Sequence, residues 1–424
     1  MTADPAPAAL APAPAPRAPS FRRALGNRPF FLLWASQLIS QSGDFVFDVA
    51  LLWLVWEATG SDLSVAVVVV AAIVPTVVLG PILGVYADRW PRRTILIGTN
   101  LAEAALIAAF SGLVLAHTAP LGLIIAVVFA LGVGQQFVRV TSSAMVPQTV
   151  DTDDLATANS LMSFSSSTTQ IAGLALGGLV VALFGVTLPI AYDALSFLVA
   201  AAILVLMSSA VGRPSPPEPG AAPGFAAQFA EGFRYVVGQR YLVEIVAIGV
   251  VINFAGNATF ALWAPYAAVV LHGGPLTYGL LGAMIAVGSI VGAAAVGKLN
   301  VRPIAGRLIF AGLVAFGALV VALGLTHTVP FALAEAFGVG AFVSAINVPL
   351  LTAVQARVPA RLMGRVMSVL LGLILAAAPF GAIVAGELAV ATSIGLVYVA
   401  MGALALVTAT IGFVAMRDVR DLTY

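Results

Sequence analysis

Residues 84–93 read Gly84-Val-Tyr-Ala-Asp88-Arg89-Trp90-Pro91-Arg92-Arg93, and they separate two long apolar runs. Upstream, 63–87 is dominated by Val, Ala, Leu and Ile; downstream, 94–116 resumes the same character. A hydrocarbon core takes about 20 apolar residues per helical crossing. Each run is therefore one membrane span, and the charged stretch is the loop that joins them. Working outward, the same pattern places spans near 30–56, 63–87, 94–116, 120–146, 155–184 and 187–210, and again near 241–271, 277–299, 305–326, 330–356, 363–388 and 392–416. Hydrophobic residues make up 61% of the 424 positions and charged residues 9%, where a soluble domain carries roughly a quarter charged residues. The expected fold class is an all-α membrane protein with twelve transmembrane helices in two six-helix repeats.

Composition also sets the domain plan. Residues 1–24 form a Pro/Ala-rich tail, expected to be disordered and cytosolic, without the basic-then-apolar order of a secretory signal. Residues 25–210 are the first six-helix half and 241–416 the second, with a short tail at 417–424. Between the halves, 211–240 is a Pro/Gly-rich linker ending in FAAQFAEGFRYVVGQR, where Phe225, Phe229, Phe233 and Val236 recur at helical spacing. That spacing predicts an amphipathic helix along the membrane surface. Arginines set the orientation. With the amino terminus inside, 18 of the 19 basic residues fall on cytoplasmic loops or tails, and the exception, Arg139, lies within the fourth span.

The halves repeat. At an offset of 208 residues Gly80 maps to Gly288, Gly84 to Gly292, Gly98 to Gly306, Gly132 to Gly340, Gly173 to Gly381 and Gly178 to Gly386. Parallel repeats of this kind are one way that membrane transporters are built. Glycines at matched places are expected where helix backbones approach closely.

The loop at 84–93 resembles the signature G-x-x-x-D-R-x-G-R-R of the major facilitator superfamily, with Pro91 in place of the usual Gly. The resemblance implies that Gly84, Asp88, Arg89, Arg92 and Arg93 form a cytoplasmic gate. Asp88 would face the amino end of span eleven, and Arg92 and Arg93 would pair with Asp151, Asp153 or Asp154. Three further stretches are similar to the branch that holds macrolide-efflux proteins and an enterobactin exporter: AMVPQTVDTDDLATANSL at 144–161, ARVPARLMGRVMSV at 356–369, and Asp193-Ala-Leu-Ser-Phe-Leu. Gly173, Gly177 and Gly178 are similar to an antiporter signature G-P-x-x-G-G, with Leu174 where that signature has Pro. Ordinary helix packing is the alternative explanation of those glycines.

Polar residues at membrane depth are functional candidates by default. Gln37, Gln41, Asp44 and Asp48 are spaced four, three and four, which puts them on one helix face. Asp44 lies 14 residues beyond Phe30, which at 1.5 Å per residue is roughly 21 Å into a core about 30 Å thick. Span four offers Gly132, Gln136, Arg139 and Ser143 as a second stripe; span five offers Ser163, Ser167 and Gln170. Asn253 and Asn257 follow in span seven, and Glu335, Ser344 and Asn347 in span ten. Glu103 sits mid-way along span three, where a role in coupling competes with a buried hydrogen bond, and Asp193 in span six is expected to pack between helices. In the resembled family, spans one, four, seven and ten line the central cavity.

Other chemistries find no support. The chain has no cysteine, its three histidines are scattered, and it carries no phosphate-binding loop or nucleophile–base pair. No cofactor or metal is expected, no nucleic-acid partner at a net charge of +1, and no enzymatic activity. The expected function is proton-coupled export of a small amphipathic compound, drug-like, macrolide-like or siderophore-like, by alternating access. The expected partners are that substrate, protons and the lipid bilayer, with the chain acting as a monomer in a bacterial cytoplasmic membrane and both termini cytoplasmic. A proton-coupled importer of a nutrient, and a non-transporting sensor or scaffold on the same fold, stay open as alternatives. Reporter tags placed after Tyr424 or near Pro216 are expected to read cytoplasmic, and tags near Ala119 or Gly273 to read external. An external signal at Pro216 contradicts the six-plus-six division.

Overall fold

The computed structural model describes residues 21–87, 90–151, 154–208, 211–212, 225–299 and 302–422. A short helix, α1 (Phe21–Gly26), precedes six long ones: α2 (Arg28–Thr59), α3 (Asp62–Ala87), α4 (Arg92–Leu115), α5 (Leu121–Met145), α6 (Leu155–Phe184) and α7 (Thr187–Val205). Then come α8 (Phe225–Gly238), α9 (Arg240–Ala261) with the single turn α10 (Trp263–Pro265), α11 (Pro275–Lys298), α12 (Ala305–Leu325) and α13 (Val329–Arg357). The chain finishes with α14 (Met363–Leu375), α15 (Ala377–Ala391), α16 (Ile394–Ala415) and α17 (Arg417–Arg420). Among the described residues twelve helical segments are long and apolar enough to cross a membrane, with α14 and α15 together forming one of them.

Local chemistry sets the ends of these helices. Pro29 opens α2 in its first turn, where a missing N–H costs nothing. Gly60 closes it at a left-handed φ of 59°, its N–H donating to the Trp56 carbonyl at 2.8 Å. Ser393 caps α16 by accepting from Leu396 N.

Two spans expected as single runs are broken. The seventh gives way after Ala261 to α10 and a π-turn over Tyr266–Val270, because Pro265 has no N–H to continue the ladder. The eleventh divides at Ala376, with Pro379 in the first turn of α15. Carbonyls near the first break still find donors. Tyr398 donates to the Thr259 carbonyl at 3.1 Å, and the rings of Tyr266 and Tyr398 meet at a tilt of 45° with centroids 4.9 Å apart.

Three of the matched glycine pairs make matched contacts, whereas Gly98 has no close neighbour where its mate Gly306 lies on Val419 and Arg420. In the first half Gly132 of α5 lies against Ala72 and Pro75 of α3, and in the second its mate Gly340 of α13 lies on Ile285 of α11. Gly173 of α6 faces Phe45 of α2, and Gly381 of α15 faces Phe254 of α9. Gly178 crosses between halves onto Pro275, Leu276 and Gly279 of α11, and Gly386 crosses onto Leu63 and Ala66 of α3. Lipid tails are as apolar as leucine, so burial alone does not drive such helices together; close backbone approach does. The two halves are thus related by a pseudo-twofold, and they are joined where α6 meets α11 and α15 meets α3.

Those crossing contacts all lie at one end of the bundle, opposite the end that carries the arginines and the described termini. These are called here the far end and the basic end. At the basic end α8 rests on α14, with Gly232 against the Arg365 carbonyl and Glu231 paired with Arg365. Its outer stripe of Phe229, Phe233 and Val237 is exposed.

The far-end seam is testable because the chain has no native cysteine. A Cβ built at Gly386 comes to 2.9 Å from the Ala66 Cβ, and a small shift brings that pair to the spacing of a disulfide, about 3.8 Å. Ala66→Cys with Gly386→Cys is expected to cross-link on oxidation and to stop transport until reduced. A pair that does not cross-link, or a cross-linked protein that still transports, contradicts the closed far end.

Candidate transport site

The α2 face carrying Gln37, Ser40, Gln41, Asp44, Phe45 and Asp48 borders a cavity of about 890 Å³. α4 contributes Glu103, α5 contributes Gln135, Arg139, Ser142 and Ser143, and α6 contributes Asn159, Ser163, Ser166 and Ser167. Asn159 and Ser163 are exposed at the basic end, while Asp48 marks the deepest turn of α2 in the cavity. The cavity is therefore entered from the basic end and stops below the far-end seam.

Asp44 accepts a hydrogen bond from Gln135 Nε2 at 3.3 Å. Asp48 faces the cavity as an exposed side chain, and among the described residues no hydrogen bond to its carboxylate is found. Glu103 is nearly inaccessible, at 4% exposure, with its carboxyl against Gly134 and one oxygen, Oε1, without a partner. Behind α2, Asp193 is fully buried against Gly43, with Ser196 Oγ donating to its backbone carbonyl at 2.8 Å and with its own Oδ2 unpartnered. The expectation that Asp193 packs between helices matches this position, yet it adds a fourth carboxyl to the group around Asp44. Arg139, exposed to the same cavity, is its only lining cation among the described residues.

Gln136 does not join them. It is buried with Oε1 unpartnered, and its neighbour Gln135 takes the cavity position. Spacing alone groups Gly132, Gln136 and Arg139, but Gln135 and Gln136 point about 100° apart on α5, and it is Gln135 that lies toward α2 and donates to Asp44. Glu335 is also apart from the cavity: it accepts from Thr326 Oγ1 at 2.8 Å near the far end of α12 and α13.

The remaining candidates fall in two adjoining spaces. Gln170 borders a cavity of about 410 Å³ between the halves, shared with Phe260, Trp263 and Ile285. Asn253, Asn257 and Asn347 border one of about 300 Å³ in the second half, which the same Phe260, Trp263 and Ile285 also line. Ser167 is common to the first and middle spaces. A charged space, a middle space and an aromatic space thus lie side by side with wall residues in common.

At the gate motif, Gly84 lies in α3, while Asp88 and Arg89 lie outside the described residues. Arg92 Nη1 donates to the Ala144 carbonyl at 3.0 Å, and Arg93 donates to the Leu204 and Val205 carbonyls at 3.1 and 2.8 Å. These carbonyls end α5 and α7, where backbone acceptors lack intrahelical partners and the helix dipole is negative. Of the carboxylates expected to pair with Arg92 and Arg93, Asp153 lies outside the described residues and Asp154 is taken by Arg23 at 3.2 Å. Of the antiporter-like glycines, Gly173 and Gly177 seat α6 on α2 beside Phe45 and Val46, and Gly178 seats it on α11. All three have a packing role.

The sequence profile of the family described as transmembrane secretion effector matches residues 20–422. The chain belongs to that family, within the major facilitator superfamily. It is 26% identical to the multidrug efflux pump Tap of Mycobacterium tuberculosis, over 92% of this chain and 93% of that protein. It is 22% identical to macrolide efflux protein A of Streptococcus pyogenes, over 84% and 87%. Among solved structures, a bacterial homologue of the lysosomal transporter Spinster, inward-facing and occupied, superposes with a TM-score of 0.75 at 15% identity, covering 96% of this chain and 100% of that one. The protein is a multi-pass membrane transporter of a small molecule, and not an enzyme.

Arg93→Gln is expected to destabilise the folded protein by about 1.5–3 kcal/mol, the range for a hydrogen bond from a charged group. A thermal-shift measurement in detergent checks this. An unchanged melting temperature removes Arg93 as the cap of α7.

Proposed function

We propose that this transporter exports a small amphipathic compound in exchange for protons, with Asp44 as the proton-exchanging carboxyl. The observation that carries the reading is the charge balance of the first cavity. Asp44, Asp48 and Glu103 line it together with one cation, Arg139, inside a helical bundle. A low-dielectric site disfavours uncompensated charge, so such a cavity favours a proton or a cationic group over an anion. The similarity to the multidrug efflux pump Tap and to macrolide efflux protein A supports the outward direction.

On this reading the basic end is cytoplasmic, both termini lie inside a bacterial inner membrane, and the chain works as a monomer. The described conformation is the inward-open one, ready to take up cargo. Asp88 and Arg89, with Arg92 and Arg93 already anchored in the first half, close the cytoplasmic side when the halves rock. The linker 211–240 spans the two halves, and its helix α8 lies in the membrane surface with Phe229, Phe233 and Val237 in lipid.

The test is substrate efflux and counterflow in proteoliposomes with Asp44→Asn. Gradient-driven efflux is expected to collapse while substrate exchange across equal pH survives, because exchange needs the binding site and not the proton step. Unchanged gradient-driven efflux moves the proton site to Asp48 or Glu103.

A further inference from the structure

We propose that the second-half pocket is an uncharged counterpart of the acid cavity, in which Asn253, Asn257 and Asn347 bind the neutral, hydroxyl-bearing ring body of the cargo. The proposal rests on the transporter reading above and deepens it.

The register comes from packing. Gly173 meets Phe45, and its repeat mate Gly381 meets Phe254, so Phe45 and Phe254 are equivalent. The residue before each is then Asp44 or Asn253, and the residue three beyond each is Asp48 or Asn257. On the other wall, Gly132 and Gly340 are equivalent, and seven residues beyond them stand Arg139 and Asn347. Both carboxyls and the guanidinium of the first half are thus replaced by amides in the second. All three amides line one pocket, as the three charged groups line theirs. The glycine offset taken alone pairs Asp44 with Ile252, which hides the relationship.

The exchange of acid for amide keeps the shape and removes the titration. Asn253 Nδ2 donates to the Gly249 carbonyl at 3.1 Å, and Asn257 Nδ2 donates to the Asn253 carbonyl at 2.9 Å. One of the two N–H donors of Asn253 and of Asn257 is thereby used within α9, which leaves the other N–H and the Oδ1 of each for a ligand hydroxyl. Phe260, Trp263 and Phe316 supply ring surface beside them. The middle space lies between this pocket and the acid cavity, sharing Phe260, Trp263 and Ile285 with the one and Ser167 with the other. A cargo with a cationic end on Asp48 and a hydroxylated ring system on the asparagines would touch both halves at once. Protons would then be handled in the first half alone, and the second half would select cargo by shape and hydrogen bonds.

Isothermal titration calorimetry in lipid nanodiscs, without any gradient, tests this with three probes. Doxorubicin has an amine, hydroxyls and fused rings; its analogue with the amine replaced by hydroxyl has no charge; tetraphenylphosphonium has charge and rings but no hydrogen-bond donor. The double variant Asn253→Leu, Asn257→Leu is expected to weaken doxorubicin and its hydroxyl analogue about tenfold, the effect of two neutral hydrogen bonds. It is expected to leave tetraphenylphosphonium unchanged, which also shows that the variant is folded. Asp48→Asn is expected to weaken the two cations and spare the hydroxyl analogue. No saturable binding of the hydroxyl analogue, or equal weakening of all three probes by the double variant, or no weakening of the hydroxylated pair, overturns the proposal. Because no gradient is applied, discrimination by the asparagines can hold even where Asp44→Asn leaves driven efflux intact. In that case the coupling scheme falls and the neutral half-site stands.

Discussion

No water reaches the hydrocarbon core to satisfy a backbone amide or to solvate a charge, and the layout of this chain follows from that constraint. Backbone groups must be paired within each segment, which leaves helices as the local choice. Where a helix is broken, polar side chains make up the deficit: at Ala261 and Pro265 the Tyr398 hydroxyl serves a carbonyl near the break, and Tyr266 reaches the Leu323 carbonyl at 2.8 Å. The same constraint drives charges to the ends. Arginines gather at the basic end, where Arg92, Arg93 and Arg240 finish helices by donating to their last carbonyls. The carboxyls that stay at depth stand out against this background, and four of them occupy the first half near Asp44.

Helix association then depends on shape, since apolar burial is no advantage in lipid. Glycines therefore decide which helices touch. The repeat makes this visible, because each of three pairs of glycines performs the same task in both halves. One pair, Gly178 and Gly386, performs it between the halves. Concentrating those contacts at the far end seals one side and leaves the acid cavity open on the other. A rocking motion that opened the seam would have to separate close glycine contacts, which gain only dispersion energy and hold no salt bridge. Such a seam can part and re-form at modest cost.

Much of this was legible in the residue order. Span number, the repeat, the one-sided arginines and the α2 stripe of Gln37, Gln41, Asp44 and Asp48 all follow from apolar length and helical spacing, which are local properties. What failed to be legible depended on helix rotation and tertiary contact. Spacing cannot tell which of Gln135 and Gln136 faces a cavity; the rotation of α5 against α2 sets it, with Gln135 donating to Asp44. Glu335 has a polar neighbour in Thr326 that is 9 positions away in sequence and close only after folding. Opposite charge suggests a carboxylate partner for Arg93, whereas its guanidinium donates to the carbonyls that end α7. The breaks at Ala261 and Ala376 had visible prolines beside them, and hydropathy alone read through both.

The asymmetry of the cavity constrains how exchange would proceed on the proposed reading. Arg139 brings one positive charge, which balances one of the two α2 carboxylates that line the cavity, Asp44 and Asp48. The other must be balanced by something that arrives, because an uncompensated charge in this bundle is costly. A proton and a cationic group on the cargo are both able to do so, and the site has room in its charge balance for only one of them. Arrival of the cation would therefore favour departure of the proton without any direct contact between the two. Gln135 holds Asp44 by a single hydrogen bond while Asp48 faces open space, so the proton belongs on the first and the cargo on the second. A neutral pocket in the other half strengthens this competition, since ring and hydroxyl contacts there hold the cargo in place and leave the charge exchange to a single site.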